Sequence, residues 1–320
     1  MQSSDSRSLR NVSVKILLQP PRDGATEWHA ALSSALPDAA IAVWPDALEE
    51  PDYALVWKPP AELFARVRPA KAIFNLGAGV DVLLAVPTLP DGVPVIRLED
   101  AGMAVQMAEY VTLAVMRAYR EVDAYAAQQR EGRWQPRRRI AKPAFGVGIL
   151  GFGVLGRAVA SALAPFGFPL RGWSLRRKVF PGVESFAGRA ELFPFLAVSR
   201  MLVCLLPSTN ETRGLLDRAA LEALPRGAHL VNVARGDIVV DEDLVAALDR
   251  GHLAGATLDV FREEPLPSGH PFWHHPRITL TPHTSAVTLV EDSIAQVADK
   301  IRRLERGESV TGLVDRVRAY

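Results

Sequence analysis

The chain has 320 residues, enough for one large or two medium domains, with 48% hydrophobic and 23% charged residues, as in a globular protein able to bury a large core. A formal net charge of +1 gives no general affinity for nucleic acid or for an anionic membrane surface. A single cysteine, Cys204, rules out a disulfide framework within one chain; no apolar run approaches the roughly 18 residues of a membrane span; and the first ten residues, MQSSDSRSLR, lack the apolar core of a secretion signal, so a reducing cytoplasm is the expected address.

Val12–Leu18 alternates and then runs apolar, as a first strand does, and Glu27–Leu36 reads as a helix. Ile41–Trp44, Tyr53–Trp57, Ala72–Leu76 and Val95–Leu98 read as short strands between turns rich in Pro, Asp and Gly, with a helix at Glu62–Val67. Strands alternating with helices predict a parallel α/β unit. Ala104–Arg130 contains no Pro or Gly and carries Val111, Val115, Ala118 and Val122 on one helical stripe, which predicts a single long helix. The segment Met103–Met107 is either its buried start or part of a pocket wall. A basic loop, Arg137–Lys142, leads to a second α/β unit with strands at Phe145–Leu150, Leu170–Ser174, Met201–Leu206, Leu230–Val233, Gly255–Val260 and Ile278–Leu280. Cys204 falls in one of these as a buried residue. Helices are expected at Thr212–Ala223 and Asp241–Asp249. The last helical stretch, Val287–Arg306, has little core in its own neighbourhood and is expected to return to the first unit.

The most informative stretch is Phe145–Ser161, FGVGILGFGVLGRAVAS. Gly151, Gly153 and Gly156 form G-x-G-x-x-G between a strand and a helix that opens at Val154 and Leu155, the context that gives this motif its meaning. The first glycine permits a tight turn, the second lets the backbone approach a pyrophosphate, and the third lets helix and strand pack closely. The helix N-terminus then faces the anion. Dinucleotide sites that prefer NAD place an acid after the second strand. Here Ser174 stands at that place, followed by Arg176, Arg177 and Lys178. Guanidinium groups can bind a 2′-phosphate that a carboxylate would repel, so NADP(H) is expected over NAD(H).

Three segments past later strands carry residues suited to carbonyl reduction: Arg235 in VNVARG, Glu264 in DVFREEP and His283 in TPHTS. Reducing a ketone takes a hydride from a cofactor and a proton from the protein. A histidine can give that proton near neutral pH, a carboxylate can orient the imidazole, and an arginine can hold an α-keto acid and polarise its carbonyl.

GILGFGVLG, LPSTNETRGL, VNVARGDIVVDEDLVAAL, ATLDVFREEPLP and TPHTSA occur in that order and with matching spacing, and together they resemble the D-isomer-specific 2-hydroxyacid dehydrogenase family. The resemblance covers roughly Leu76 to Ala286. It implies an α/β fold of two Rossmann-like domains, each a doubly wound parallel sheet, with an inter-domain cleft and a homodimeric assembly. On that reading residues 1–105 with 286–320 form a flavodoxin-like substrate domain and 106–285 the NADP-binding domain. The family's catalytic set maps onto Arg235, Glu264 and His283. Its dinucleotide set extends to Leu206, Pro207, Thr212, Val233, Ala234, Asp259 and Ser285, besides Arg235 and His283.

YALVWKPP, FNLGAGVDV, RLEDAGMAVQMAEY and the Trp173–Lys178 turn resemble the glyoxylate/hydroxypyruvate reductase A branch. The resemblance implies that Gly77, Ala78 and Gly79 bind a substrate carboxylate through backbone N–H groups, a role two glycines also suit sterically, with Leu76 beside them in the substrate loop. Trp44 and Trp57 are candidate cleft aromatics or core residues. The expected reaction is NADPH-dependent reduction of glyoxylate or hydroxypyruvate, with domain closure near Gln106 excluding water.

Other readings are weighed on the same residues. His270, His274 and His275 lie close together, but in a proline-rich loop without the ligand spacing of a zinc site, so no metal is expected. A dinucleotide-sensing corepressor uses the same fold. A D-lactate, phosphoglycerate, phosphite or formate dehydrogenase keeps the chemistry and changes the substrate.

Overall fold

The computed structural model describes residues 13–21, 24–46 and 50–318. The polar leader and Val12 lie outside the described residues. The chain divides into two compact units, one running up to Ala101 and resuming at Thr288, the other from Gly102 to Val287.

The first unit is a five-stranded parallel sheet of β1 (Lys15–Gln19), β2 (Ala40–Val43), β3 (Tyr53–Val56), β4 (Ala72–Asn75) and β5 (Val95–Arg97), in the order β2-β1-β3-β4-β5. Helices α1 (Ala25–Ala35), α2 (Ala61–Arg66) and α3 (Asp81–Leu84) make the crossovers. The central strand β3 is buried along its whole length, which is why YALV reads as a continuous apolar run rather than an alternation. Strand order reverses between β1 and β3.

The second unit opens with α4 (Met103–Tyr119) and α5 (Val122–Arg130). The sequence predicts one helix here; the structure breaks it at Glu121, whose φ is +54°. Neither Gly nor Pro marks the break. Its cause is the end of the apolar stripe: α4 buries Met107, Val111 and Val115, whereas the only buried residue of α5 is Gln128. Arg117 pairs with Asp123 across the break, and Arg137 bonds the Glu121 carboxylate at 2.8 Å.

There follow β6 (Val147–Leu150), α6 (Val154–Leu163), β7 (Leu170–Ser174), β8 (Val183–Ala187), α7 (Leu192–Ala197), β9 (Met201–Cys204), α8 (Arg218–Ala223), β10 (Ala228–Asn232), α9 (Asp241–Asp249), β11 (Leu253–Leu258) and β12 (Ile278–Leu280). They form a seven-stranded parallel sheet in the order β12-β11-β10-β9-β6-β7-β8, reversing between β6 and β9. One face packs on α4 and α6 through Val111, Val115, Val159 and Leu163; the other packs on α7, α8 and α9 through Leu196, Leu221, Leu244 and Leu248. The expected helix from Thr212 begins only at Arg218. Gly214 takes φ +62°, and Asp217 caps the shortened helix by accepting from the Ala220 N–H at 2.9 Å. The sequence reading leaves β8 and α7 unassigned; β8 is half exposed and α7 contains Pro194, so neither shows a clean period.

The chain then returns to the first unit as α10 (Val290–Glu305), burying Ile294, Val297 and Ile301 against α1. Its end is tied down where Glu305 accepts from the Tyr53 hydroxyl at 2.6 Å and from Lys71 Nζ at 2.7 Å.

Candidate functional site

The three motif glycines of the second unit each meet a different spatial demand. Gly151 adopts φ +107°, and a Cβ there would sit 2.7 Å from the Leu205 carbonyl. A Cβ on Gly156 would lie 2.5 Å from the Gly151 oxygen, so this glycine sets how closely α6 approaches β6. Gly153 faces open space, the room a pyrophosphate needs at the start of α6, where Val154 is exposed and Leu155 half-buried. Open sheets bind ligands at the carboxyl ends of the strands where the order reverses. Gly151 follows β6, and Leu206 and Pro207 follow β9, so the motif lies at that reversal. Thr212 folds back to bond the Pro207 carbonyl at 2.6 Å.

Past β7, the Ser174 hydroxyl donates to the Arg176 carbonyl at 2.7 Å, shaping the basic turn. Arg177 is engaged by the Glu191 carboxylate and the Ser185 carbonyl. Arg176 is exposed, and its guanidinium pairs with no described residue. Lys178 is half-buried. The space at Gly153 and these cations fit a phosphorylated dinucleotide.

Three turns carry Arg235, Glu264 and His283, after the adjacent strands β10, β11 and β12. His283 Nδ1 lies 2.7 Å from Glu264 Oε2, and Glu264 Oε1 accepts from the Phe261 N–H at 3.0 Å. An ionised carboxylate only accepts, so Nδ1 carries the proton in this bond and Nε2 is the ring atom left for a substrate. Both side chains are about a third exposed, within reach of a ligand.

Arg235 is half-buried and extended, at φ −143°. The fully buried Asn232 shapes its turn, donating to the Arg235 carbonyl at 2.9 Å and accepting from the Ala234 N–H at 3.2 Å. Gly236 lets this turn touch the Glu264 turn, since a Cβ there would fall 2.0 Å from the Phe261 carbonyl carbon. Val233 and Ala234 are buried beneath it. Asp259 has no exposed surface and accepts from Thr281 Oγ1 at 2.6 Å, Thr284 N at 2.8 Å and Ser285 N at 2.9 Å. Asp259 and Ser285, expected at the dinucleotide, are thus also the internal frame of the His283 loop.

In the first unit, Leu76–Gly79 follows β4. The buried Asn75 amide donates to the carbonyls of Gly77 at 2.8 Å and Gly79 at 2.9 Å. With the carbonyls held this way, the N–H groups of Gly77, Ala78 and Gly79 donate to no described residue. Leu76 is buried, and Trp57 lies against Gly77, where a Cβ would meet its ring at 2.3 Å. Trp57 is placed by Gln19, whose side chain and backbone carbonyls both accept from its N–H. Trp44 is half-buried under the Arg66 guanidinium, 5.8 Å from the ring centre, and lines a cavity of about 810 Å³ with Arg68, Pro69 and Val93.

The loop histidines have separate partners. His270 packs edge-on against Phe272 and lies 3.7 Å from Asp241, while His275 lies 3.3 Å from Asp249. Among the described residues, no group of three His, Cys, Asp or Glu side chains is arranged to hold a metal ion. Cys204 is fully buried in β9 and its thiol is pushed up to about 12 by that burial. Met103 and Met107 are buried.

Residues 112–285 match the profile of the D-isomer specific 2-hydroxyacid dehydrogenase NAD binding domain. The chain is 48% identical over 311 residues to glyoxylate/hydroxypyruvate reductase A of Escherichia fergusonii, covering 95% of this chain and 99% of that protein. It belongs to the D-isomer specific 2-hydroxyacid dehydrogenase family. Among solved structures, a D-isomer specific 2-hydroxyacid dehydrogenase from Xanthobacter autotrophicus, in complex with NADPH and MES, superposes with a TM-score of 0.90 at 43% identity over 96% of this chain and all of its own. The NADPH-dependent glyoxylate/hydroxypyruvate reductase of Sinorhizobium meliloti, in complex with NADP and sulfate, gives 0.88 at 36% identity with the same coverage. The parallel, doubly wound α/β organisation expected from sequence is that of these dehydrogenases.

Sequence reasoning misses several residues that hold this dehydrogenase's site together. Asn232 and Gly236 sit inside VNVARG, where their neighbour Arg235 draws attention. An Asn at a strand end beside Arg-Gly is the available signal, because a buried amide must satisfy its own hydrogen bonds. Tyr110 and Thr281, 2.5 Å apart through their hydroxyl oxygens, carry no such signal, since 171 residues separate them.

Proposed function

We propose that this dehydrogenase reduces small 2-oxo acids, glyoxylate to glycolate and hydroxypyruvate to D-glycerate, using NADPH in preference to NADH. The observation that carries the reading is the His283–Glu264 bond of 2.7 Å, made on the same sheet edge as the glycine turn and the Ser174–Lys178 basic turn. The E. fergusonii relative is named glyoxylate/hydroxypyruvate reductase A, and the S. meliloti structure is of an NADPH-dependent glyoxylate/hydroxypyruvate reductase.

Bound along Gly151–Gly156, NADPH supplies the hydride. The remaining work belongs to the chain. Arg176, with Arg177 and Lys178, recognises the 2′-phosphate that a carboxylate at position 174 would repel. Arg235 holds the substrate's carboxylate and draws electron density from its carbonyl. The N–H groups of Gly77, Ala78 and Gly79 supply further donors to the carboxylate. His283 gives its Nε2 proton to the oxygen as the alcohol forms, while Glu264 holds the Nδ1 proton and balances the imidazolium charge. Leu206, Pro207, Thr212, Val233, Ala234, Asp259 and Ser285 complete the dinucleotide cradle. Domain roles follow the same division: substrate recognition by the first unit, NADP binding by the second.

We assign the protein to the cytoplasm as a homodimer. Among the described residues no helix is long and apolar enough to cross a membrane. The deciding experiment is the initial rate of glyoxylate and hydroxypyruvate reduction with NADPH and NADH at equal concentration. Turnover with NADPH favoured supports the reading. Turnover favouring NADH overturns the role given to Arg176. Cofactor binding without turnover overturns the substrate assignment.

A further inference from the structure

The hydrogen bonds around His283 continue past Asp259 to a side chain on another element, Tyr110 of α4. Tyr110 Oη lies 2.5 Å from Thr281 Oγ1, and Thr281 Oγ1 lies 2.6 Å from Asp259 Oδ1. Chemistry sets the direction. The carboxylate has no proton to give, so Thr281 uses its one hydroxyl hydrogen on Asp259, and Tyr110 must donate to Thr281. The phenol keeps that proton, since burial pushes its pKa up.

Asp259 grips the catalytic loop on both sides of its apex. It takes the Thr281 side chain two residues before His283 and the N–H groups of Thr284 and Ser285 just after it. The Asp259 carbonyl also accepts from the His283 N–H at 2.9 Å. His283 itself sits at φ +54°, a left-handed conformation that a residue other than glycine keeps only when its surroundings over-determine it. We propose that Tyr110, acting through Thr281 and Asp259, is a positioning residue that holds His283 against Glu264.

The inference rests on the reading of His283 as proton donor. It differs from plain packing because a Phe ring at 110 would fill the same space, and only the hydroxyl reaches Thr281. Charged groups on the neighbouring elements include Asp259 and Glu264 past β11, Arg235 past β10, and on α4 the exposed Glu109 as well as Arg117, which is paired with Asp123.

Tyr110→Phe and Thr281→Val each delete one hydroxyl and keep the shape; Thr281→Ser restores it. The two deletions are expected to lower kcat for glyoxylate reduction about tenfold while the KM for NADPH moves less than about twofold, as for a misaligned donor in an intact cofactor site. Thr281→Ser recovers most of the kcat. A second readout needs neither substrate nor cofactor. In proton NMR of the full chain, the His283 Nδ1–H bonded to Glu264 gives a low-field resonance, assigned by its loss in His283→Gln, and it broadens or disappears in both deletions. An unchanged resonance and kcat in folded Tyr110→Phe overturns the proposal, as does Thr281→Ser behaving like Thr281→Val. Should Thr281→Val fail to fold, Tyr110→Phe alone decides. A wild-type protein that shows the resonance and its loss but reduces neither acid overturns the proposed reaction and leaves the positioning role standing.

Discussion

At the scale of single residues, the proposed mechanism gives His283 and Glu264, 2.7 Å apart, two tasks in proton transfer that can be separated experimentally. His283→Gln removes the proton donor, and kcat is expected to fall by about 10²- to 10⁴-fold, the usual worth of a positioned general acid. Glu264→Gln leaves the donor but deprives the imidazolium of its counter-charge and its fixed ring orientation, so a smaller loss of kcat is expected. Steady-state rates of the two variants side by side check the order; a Glu264→Gln rate equal to that of the wild type would mean that Glu264 does not act through His283. The basic turn separates in the same way. Arg177 already spends its guanidinium on Glu191 and Ser185, whereas Arg176 has no described partner. A charge-assisted hydrogen bond is worth about 1.5–3 kcal/mol, so Arg176→Ala should raise the KM for NADPH roughly 10- to 100-fold and leave that for NADH nearly unchanged. Arg177→Ala should do less. Comparing the two KM values in each variant tests this.

At the scale of elements, what the sequence makes legible is what short-range physics dictates. Gly151, Gly153 and Gly156 between an apolar strand and a helical stripe place β6 and α6, because Gly151 and Gly156 answer local steric demands of the strand–turn–helix itself. Leu170–Ser174 and Asp241–Asp249 are bounded in the structure as their patterns predict. The Arg235, Glu264 and His283 turns are legible as chemistry past strand ends. What the pattern does not reveal is decided across the chain. The break at Glu121 follows from where α4 stops having anything to bury, and the late start of α8 follows from Asp217 capping and the left-handed Gly214. The Asp259 frame joins residues that are distant in sequence.

His229 is another such cross-chain feature. Its ring lies between β10 and β11, 3.1 Å from the Thr257 hydroxyl, and burial lowers its pKa to about 4 from an ordinary 6.5. The sign follows from linkage. Above the unfolded value His229 is neutral in both states and has no effect on the balance. As pH falls from about 6.5 to about 4 the unfolded chain takes up a proton that the fold refuses, so stability is lost across that window, on the order of 3 kcal/mol. His229→Gln removes the titration. Its Tm should decline less steeply between pH 6.5 and pH 4 than that of the wild type; parallel slopes would show that His229 is protonated in the fold.

At the scale of the whole molecule, the surface of the second unit carries apolar side chains that its own core does not use. α4 turns Met107, Val111 and Val115 inward, yet Leu113 is 68% exposed and Val105 66%. Val122 and Tyr125 of α5 are also exposed, and Trp134 stands 98% exposed at the start of an open arm, residues 133–139. Monomeric proteins rarely leave such side chains uncovered together, and burying a large one contributes about 1.5–3 kcal/mol. The proposed homodimer would supply a cover, because an interface about a two-fold axis pairs the same surface with itself. Arg133, Arg137, Arg138 and Arg139 alternate with Glu121 and Glu131 around it, which gives such a contact charges of both signs at its rim. Light scattering is expected to give about 70 kDa, twice the 34.8 kDa chain. Leu113→Glu with Trp134→Glu places four like charges in the paired surface, two from each copy, and should yield a monomer with an unchanged far-ultraviolet spectrum. A wild-type mass of one chain at micromolar concentration would leave this surface without a partner copy and overturn the homodimer. A double variant that stays dimeric would move the contact to another face.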